Sequence, residues 1–324
     1  MRQLQINLRS LIMRNRIYYM CLFLGITSSL QAQQIELSSH YYQNMFMFNP
    51  AVAGQYNYSP ININYRQQWT GFEEAPSMQF LSYHTKLLKN LGGGINFFND
   101  VAGPVRRTGG LLAVSYTLKT SSSSNLSLAL AGSATQFSFD IDKLVTELPN
   151  DVALTSGLRN QVIPDASLGL NFYTKKMRVG LSAYNLLEAG QNLFESNFMV
   201  ENKLERTIYA HADYTVDLSK KFSLTPYFLM RYMSNSPFQA EVSAKLMYNK
   251  LLWIGTSYRL QDAMVVFAGI DYKNFVVGYS YDYTLSELSA YNSGSHEIIL
   301  GYKLTGGTNG QGSWFKRNRV YIKK

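Results

Sequence analysis

The chain has 324 residues, 46% of them hydrophobic and 14% aromatic, and 30 Lys and Arg against 21 Asp and Glu give a formal net charge of +9. A mean hydropathy just below zero excludes a bundle of membrane helices, and a single cysteine excludes a disulfide scaffold. The aromatic content suits strands, and also the interfacial girdles of a membrane barrel, in which only every second strand residue meets lipid.

The first element in chain order is a short apolar run over 17–30, preceded by Arg2, Arg9, Arg14 and Arg16 and followed by Gln31, Ala32 and Gln33. A basic start, an apolar centre and a small residue before the cut predict a secretory signal peptide over 1–32, cleaved after Ala32. The run is short for a membrane span and is weakened by Thr27, Ser28 and Ser29. Cys21 lies inside it, and Tyr19 and Met20 do not supply the small-residue context of a lipoprotein. The mature chain then has no cysteine, which removes disulfides, thiol catalysis and cysteine metal sites together. Loss of the four arginines lowers the net charge from +9 to +5, and Lys316, Arg317, Arg319, Lys323 and Lys324 carry that amount by themselves. The body between is about neutral, so no nucleic-acid partner is expected. Residues 306–324 read as a basic periplasmic tail.

Residues 33–59 hold Tyr41, Tyr42, Met45, Phe46, Met47 and Phe48, too apolar a set for a free linker. They predict a short plug or lid docked in the mouth of a barrel, with turns at Asn49-Pro50 and Gly54. The barrel itself is expected over 60–305. About fourteen segments of alternating pattern follow one another, at 60–69, 78–85, 91–99, 107–118, 124–139, 165–174, 176–186, 207–218, 222–232, 238–247, 251–260, 263–272, 275–283 and 295–305. Successive strand residues face opposite sides, so a barrel wall alternates lipid-facing and lumen-facing residues. Ala166, Leu168, Leu170 and Phe172 fall on one face, and Ser167, Gly169, Asn171 and Tyr173 on the other. Val179, Leu181 and Ala183 alternate with Arg178, Gly180, Ser182 and Tyr184. Ile298, Leu300, Tyr302 and Leu304 alternate with Glu297, Ile299, Gly301 and Lys303.

The connectors alternate too. Lys175 with Lys176, Lys220 with Lys221, Asn249 with Lys250, and Lys273 with Asn274 mark tight turns, whereas 140–164 and 187–206 are long. Short periplasmic turns and long external loops, with both chain ends on the periplasmic side, are the pattern of an all-β transmembrane antiparallel barrel of about fourteen strands. Lysines gather at the tight turns. Carboxylates gather in the other set: Glu73, Glu74, Asp100, Asp142, Glu147, Asp151, Glu188, Glu195, Glu201, Glu205 and Glu287.

Charges within the strands, Arg66, Arg231, Arg259, Asp271, Asp282 and Glu297, are expected to face the lumen and brace it through ion pairs, since a charge facing lipid costs a few kcal/mol at mid-membrane. Gly92, Gly93 and Gly94 read as a bend in the wall. Trp69, Trp253 and the stripe Tyr279, Tyr281 and Tyr283 read as wall or girdle packing. His40, His84, His211 and His296 lack metal-ligand spacing, and no serine, histidine and acid are brought together by spacing. No catalytic residue, metal or cofactor is expected.

An ordered series of motifs runs along nearly the whole mature chain. It begins with Asn49, Pro50, Ala51, Ala53 and Gly54, then Arg66, Gln68 and Trp69, then Ala75 with Pro76, then Asp100, Gly103 and Pro104. It continues through 180–186, through 253–259 ending in Arg259, through 278–282 ending in Asp282, and through 294–297. This series resembles the PorP/SprF family of outer-membrane proteins, associated with type IX secretion and gliding motility in Bacteroidetes. The resemblance implies a non-enzymatic outer-membrane barrel that helps a protein with a C-terminal sorting domain to leave the cell, or holds it at the surface. It implies as partners that secreted or surface-anchored protein, the type IX machinery and outer-membrane lipid, with no cofactor. The residues expected to contact the exported partner are Glu73, Glu74, Glu147, Asp151, Glu188 and Glu195 on the external loops. Fold alone would instead suggest a passive porin or a transporter of hydrophobic compounds.

Overall fold

The computed structural model describes residues 37–143, 158–190 and 203–305. The expected signal peptide, the basic tail, Glu147, Asp151 and Glu195 lie outside them. The strands are β1 (Ser59–Gln67), β2 (Ser77–Lys86), β3 (Leu91–Ala102), β4 (Val105–Lys119), β5 (Ser124–Asp140), β6 (Leu158–Thr174), β7 (Met177–Tyr184) and β8 (Thr207–Tyr214). There follow β9 (Val216–Asp217), β10 (Phe222–Tyr232), β11 (Gln239–Tyr248), β12 (Leu252–Arg259), β13 (Ala263–Tyr272), β14 (Phe275–Thr284) and β15 (Ser295–Leu304). Every neighbouring pair is antiparallel. The sheet closes where β1 pairs β15, from Ser59 opposite Leu304 to Gln67 opposite His296.

β8 and β9 are two pieces of one strand, because both pair with β10 in a single register, Tyr227 opposite Asp213 and Leu224 opposite Val216. The break falls at Thr215, opposite Thr225 and next to Pro226, which has no amide hydrogen to give to the ladder. The wall is therefore a closed fourteen-strand antiparallel barrel, and a closed sheet leaves no unpaired edge in lipid.

Two proline positions show where sequence and fold part. The alternation predicts that the sixth strand starts at 165, after Pro164, but β6 starts at Leu158. Its pairing with β7 goes no further than Leu168 opposite Ala183, so β6 is an edge strand at Pro164, where proline is tolerated. β4, β5 and β6, at 15, 17 and 17 residues, exceed the roughly 9–11 that cross a bilayer, and they rise beyond it on the long-loop side.

The two faces sort as the alternation predicts. Leu168, Leu170, Val179, Leu181, Ile298 and Leu300 stand exposed on the outside, while Ser167, Asn171, Arg178, Ser182 and Glu297 are buried inside. Exposed aromatics mark two levels. Tyr116, Tyr214, Tyr248, Tyr272 and Phe275 lie near the short turns, and Tyr65, Tyr232, Tyr258 and Tyr283 near the long loops. On β14 the two levels, Phe275 and Tyr283, are about 26 Å apart along the strand at ~3.3 Å per residue, which a barrel tilt of about 40° turns into roughly 20 Å of height. That suits the apolar band of an outer-membrane barrel, roughly 25 Å tall. Tyr279 and Tyr283 belong to this outer surface.

The core of the molecule is inside the barrel. Residues 37–58 do not stay at the rim where β1 begins. They run along the lumen as two 3-10 turns, Met45–Met47 and Pro50–Val52, joined by short irregular stretches. Tyr41, Phe46, Ala51 and Val52 are fully buried. Tyr42 packs on Phe267 with ring centroids 4.6 Å apart, and Phe48 on Tyr209 at 5.3 Å. Gly92 and Gly94, expected to bend the wall, instead make room for this segment. A Cβ on Gly92 would come within 2.3 Å of the Ala53 carbonyl oxygen, and one on Gly94 within 2.4 Å of the Phe46 ring.

The orientation is open to a direct check. A cysteine placed by Glu73→Cys in the β1–β2 loop is expected to react with a membrane-impermeant maleimide on intact cells. One placed by Ser122→Cys in the β4–β5 turn is expected to react only after the outer membrane is opened. The reverse pattern would invert the barrel.

Candidate functional site

The plug is fastened at its upper end by two adjacent serines, Ser38 and Ser39. Ser39 Oγ lies 2.8 Å from both carboxylate oxygens of Asp282, 3.0 Å from Arg66 Nη1 and 3.0 Å from Arg259 Nη2. A serine hydroxyl has one hydrogen and two lone pairs, so donating to Asp282 and accepting from both guanidiniums uses all of its capacity. The Ser39 amide donates to Glu297 Oε2 at 2.7 Å, and the neighbouring Ser38 hydroxyl donates to Glu297 Oε1. Asn64 Nδ2 also donates to Glu297 Oε1, at 3.0 Å.

The barrel strands hold this cluster in place. Arg66 on β1 pairs with Asp282 on β14 at 2.8 Å and lies 3.5 Å from Glu297 on β15. Arg259 on β12 reaches Asp282 at 3.2 Å, Asp262 at 3.2 Å and, through Nε, Glu241 on β11 at 2.8 Å. Ser257 donates a further hydrogen bond to Glu241. Arg66, Asp282, Glu241, Arg259 and Glu297 are at most 3% exposed, so each charge depends on its partners for stabilisation. On the plug, burial lowers the His40 imidazole below its ordinary value despite the nearby Glu297 carboxylate, and its Nδ1 lies 2.8 Å from the Tyr42 hydroxyl.

Further down, Asn49 caps the second 3-10 turn by accepting from the Ala51 amide at 2.9 Å, and Pro50 fills the position where a helix needs no donor. Asn49 Nδ2 donates to the Leu170 carbonyl at 2.9 Å and sits 3.1 Å from His211 Nε2. The wall under it is Gly169 and Gly180, where a Cβ would come within 2.4 Å and 2.6 Å of the Asn49 amide group. Gly54, with φ +72°, turns the chain against Gly92. Tyr56 then accepts from Arg178 Nη1 at 2.9 Å, and Arg178 Nε pairs with Asp213 at 2.7 Å. Lys245 Nζ lies over the Tyr42 and Tyr227 rings at 5.0 and 5.3 Å.

The charges expected to brace the lumen thus divide. Arg66, Arg259, Asp282 and Glu297 come together around the plug, whereas Asp271 pairs with Lys303 near the short-turn rim and Arg231 is buried on β10. Trp253 is part of the plug's seat, 5.9 Å from Tyr42 between ring centroids. Sequence reasoning did not single out Ser38, Ser39, Glu241 or Ser257. Their one signal is that Glu241 and Ser257 fall on the inward positions of alternating strands.

Around the outer mouth, the β1–β2 loop is clasped to the β14–β15 loop. The Thr70 amide donates to the Gly294 carbonyl at 2.8 Å, and the Ser293 amide to the Thr70 carbonyl at 2.7 Å. Trp69 supports the clasp by donating its amide to Ser295 Oγ at 3.1 Å, and Gln68 donates its amide to the Pro76 carbonyl at 2.8 Å. Asp100 pairs with Arg107 across the hairpin that turns at Gly103 and Pro104. Glu73 and Glu74 are exposed. Glu74 pairs with Lys143 at 3.0 Å, and Glu188 with Arg206 at 3.5 Å. Among the described residues the mouth is of mixed sign, and not the acidic rim expected from the loops: Arg106, Lys143, Arg159, Lys203 and Arg206 stand among the carboxylates.

The family model described as the type IX secretion system membrane protein PorP/SprF matches residues 30–302. The chain belongs to the PorP/SprF family. As a PorP/SprF barrel it is an outer-membrane component of the type IX secretion system. Of the positions that carry the family resemblance, Asn49, Pro50, Gly54, Arg66, Arg259 and Asp282 belong to the plug or its seat, whereas Gln68, Trp69, Pro76, Asp100, Gly103 and Pro104 lie at the outer mouth. No curated protein matches the chain. Similar solved structures include the CymD monoaromatic hydrocarbon channel, 12% identical, with 85% of this chain and 94% of that one covered and a TM-score of 0.49. The Ralstonia pickettii toluene transporter TbuX is 9% identical, with 80% and 92% covered and a TM-score of 0.49. The Acinetobacter baumannii outer membrane protein Omp33 is 9% identical, with 76% and 98% covered and a TM-score of 0.44. These similarities are too low to carry function. Among the described residues no group of three His, Cys, Asp or Glu side chains is placed to hold a metal ion.

Ser39→Ala is expected to lower the unfolding free energy in detergent by about 1–3 kcal/mol, because two buried guanidiniums lose an acceptor. Arg66→Ala is expected to cost more, about 3–5 kcal/mol, because Asp282 loses a close partner. Equal and negligible effects of the two in denaturant titrations would show that the cluster does not hold the plug.

Proposed function

We propose that this PorP/SprF barrel is a non-enzymatic accessory that engages one exported protein at its outer mouth, assisting its export through the type IX machinery or its anchoring at the surface. One observation carries the reading: the lumen is filled along its length by residues 37–58, which leaves the long-loop face as the surface on which a partner can act. The clasped loops and the raised wall of β4–β6 make that face a shaped platform. Rigid anchorage comes from the barrel and shape recognition from the loops. Within this reading Glu73, Glu74 and Glu188 offer exposed or half-exposed carboxylates to the partner, joined by Glu147, Asp151 and Glu195. The leader over 1–32 delivers the chain to the periplasm before insertion, and proteins with a C-terminal sorting domain, gliding adhesins among them, are the expected passengers.

The test is a deletion strain whose surface and secreted proteomes are compared with the parent's. At least one protein with a C-terminal sorting domain is expected to leave the surface or change compartment, and to co-purify with the barrel from the parent strain. If none moves, while uptake of a small solute or hydrophobic compound falls, the passive porin or transporter reading takes its place. Charge reversal at the mouth by Glu73→Lys with Glu74→Lys is expected to weaken that co-purification several-fold while leaving the heat-modifiable migration of the folded barrel unchanged.

A further inference from the structure

Six hairpin turns close the barrel on the side where β1 begins and β15 ends, and each has an exposed lysine in or beside it: Lys89, Lys119, Lys175, Lys220, Lys250 and Lys273. Three acids come near this rim among the described residues, of which Asp213 is buried in the lumen and paired with Arg178. Asp217 pairs with Lys176 at 3.1 Å, and Asp271 is turned inward and pairs with Lys303. The cations therefore far outnumber the acids, in contrast to the mixed mouth at the other end.

Apolar groups stand beside these lysines on the outside of the wall. Leu88 and Leu218 project from the turns themselves, 67% and 56% exposed, and Tyr116, Tyr214, Tyr272 and Phe275 form the aromatic level next to them. Lys273 Nζ lies 5.1 Å from the centre of the Tyr272 ring. An ammonium next to an interfacial aromatic is the arrangement by which a side chain keeps its charge among headgroups and its stem in hydrocarbon.

The distribution decides which occupant fits. A protein partner docking from the periplasm would meet a patch on one side, whereas these lysines follow the whole perimeter at the height of the girdle. What surrounds a barrel at that height is the inner leaflet of the membrane. We infer that this lysine rim binds the phosphate groups of anionic phospholipids in the periplasmic leaflet, with each ammonium paired to a headgroup and the adjoining Leu or aromatic side chain in the acyl region. The electrostatic attraction of lysines to anionic lipid surfaces is the general basis.

The test uses the purified full-length barrel in detergent, mixed with equal amounts of phosphatidylglycerol and phosphatidylcholine and examined by native mass spectrometry. Phosphatidylglycerol is expected to be retained over phosphatidylcholine by roughly fivefold or more. The variant with all six lysines changed to Gln is expected to lose the preference, and the variant with all six changed to Arg to keep it. Changing Arg106, Lys143, Arg159 and Arg206 to Gln at the opposite rim is expected to leave it intact. Heat-modifiable migration reports whether each variant is folded. Should the Gln variant not fold, salt raised to about 1 M on the natural barrel is expected to abolish the preference through screening. Equal retention of the two lipids, or a preference that survives both the Gln variant and high salt, overturns the inference. So does a Gln variant that keeps the lipid preference but loses a co-purifying acidic periplasmic protein, since the rim would then be a protein-docking face.

Discussion

The structure depends on the way a single serine hydroxyl is held between two arginines and an aspartate that come from three different strands. Asp282, Arg66 and Arg259 lie inside a closed barrel, where each alone would be an uncompensated buried charge. Together with Glu297 and Glu241 they satisfy one another only in part. Asn64 and Ser257 of the wall add hydrogen bonds to the two glutamates, and Ser39 and Ser38 supply others from a segment that is not part of the wall. The wall and the plug are thus mutually dependent: the charges brace the strands, and the same charges fix the segment that fills the space between them.

This arrangement explains other choices along the chain. Small lumen-facing residues, Gly92, Gly94, Gly169 and Gly180, occur where the plug lies closest to the wall, and a larger side chain at any of them would collide with it. Polar lumen residues recur where the plug exposes main-chain groups. Ser115 takes the Ala53 carbonyl, Ser182 the Phe48 carbonyl and Tyr184 the Met47 carbonyl. Buried main-chain groups need such partners, and a short plug with only two 3-10 turns cannot supply its own. With the interior committed in this way, recognition moves to the rims, where one end offers clasped loops of mixed charge and the other a ring of lysines.

Much of the wall was legible in the sequence, because strand alternation is a local property and lipid on one side enforces it strongly. The outward set of Leu168, Leu170, Leu181, Ile298 and Leu300 and the inward placement of Arg66, Arg259 and Asp282 follow from it directly. Boundaries were less legible at Pro164 and Pro226, whose effects depend on which neighbouring strand reaches them. The Gly92–Gly94 run looked like a bend because its true cause, the approach of Phe46 and Ala53, comes from a segment far away in the chain. The lock itself was hidden for the same reason. Ser39 and Asp282 are 243 residues apart, and two adjacent serines have no periodicity that marks them as ligands of a charge cluster. Likewise the spacing of the external carboxylates along the chain suggests an acidic rim, whereas in the fold Lys143 and Arg206 stand beside Glu74 and Glu188.

The central claim is that the barrel is closed by its own N-terminal segment, and electrical conductance in planar bilayers tests it most directly. The intact barrel is expected to be silent, and a variant lacking residues 37–54 to carry a steady ion current through the vacated polar lumen. A steady, size-selective current through the intact barrel, unchanged by that deletion, would contradict the account.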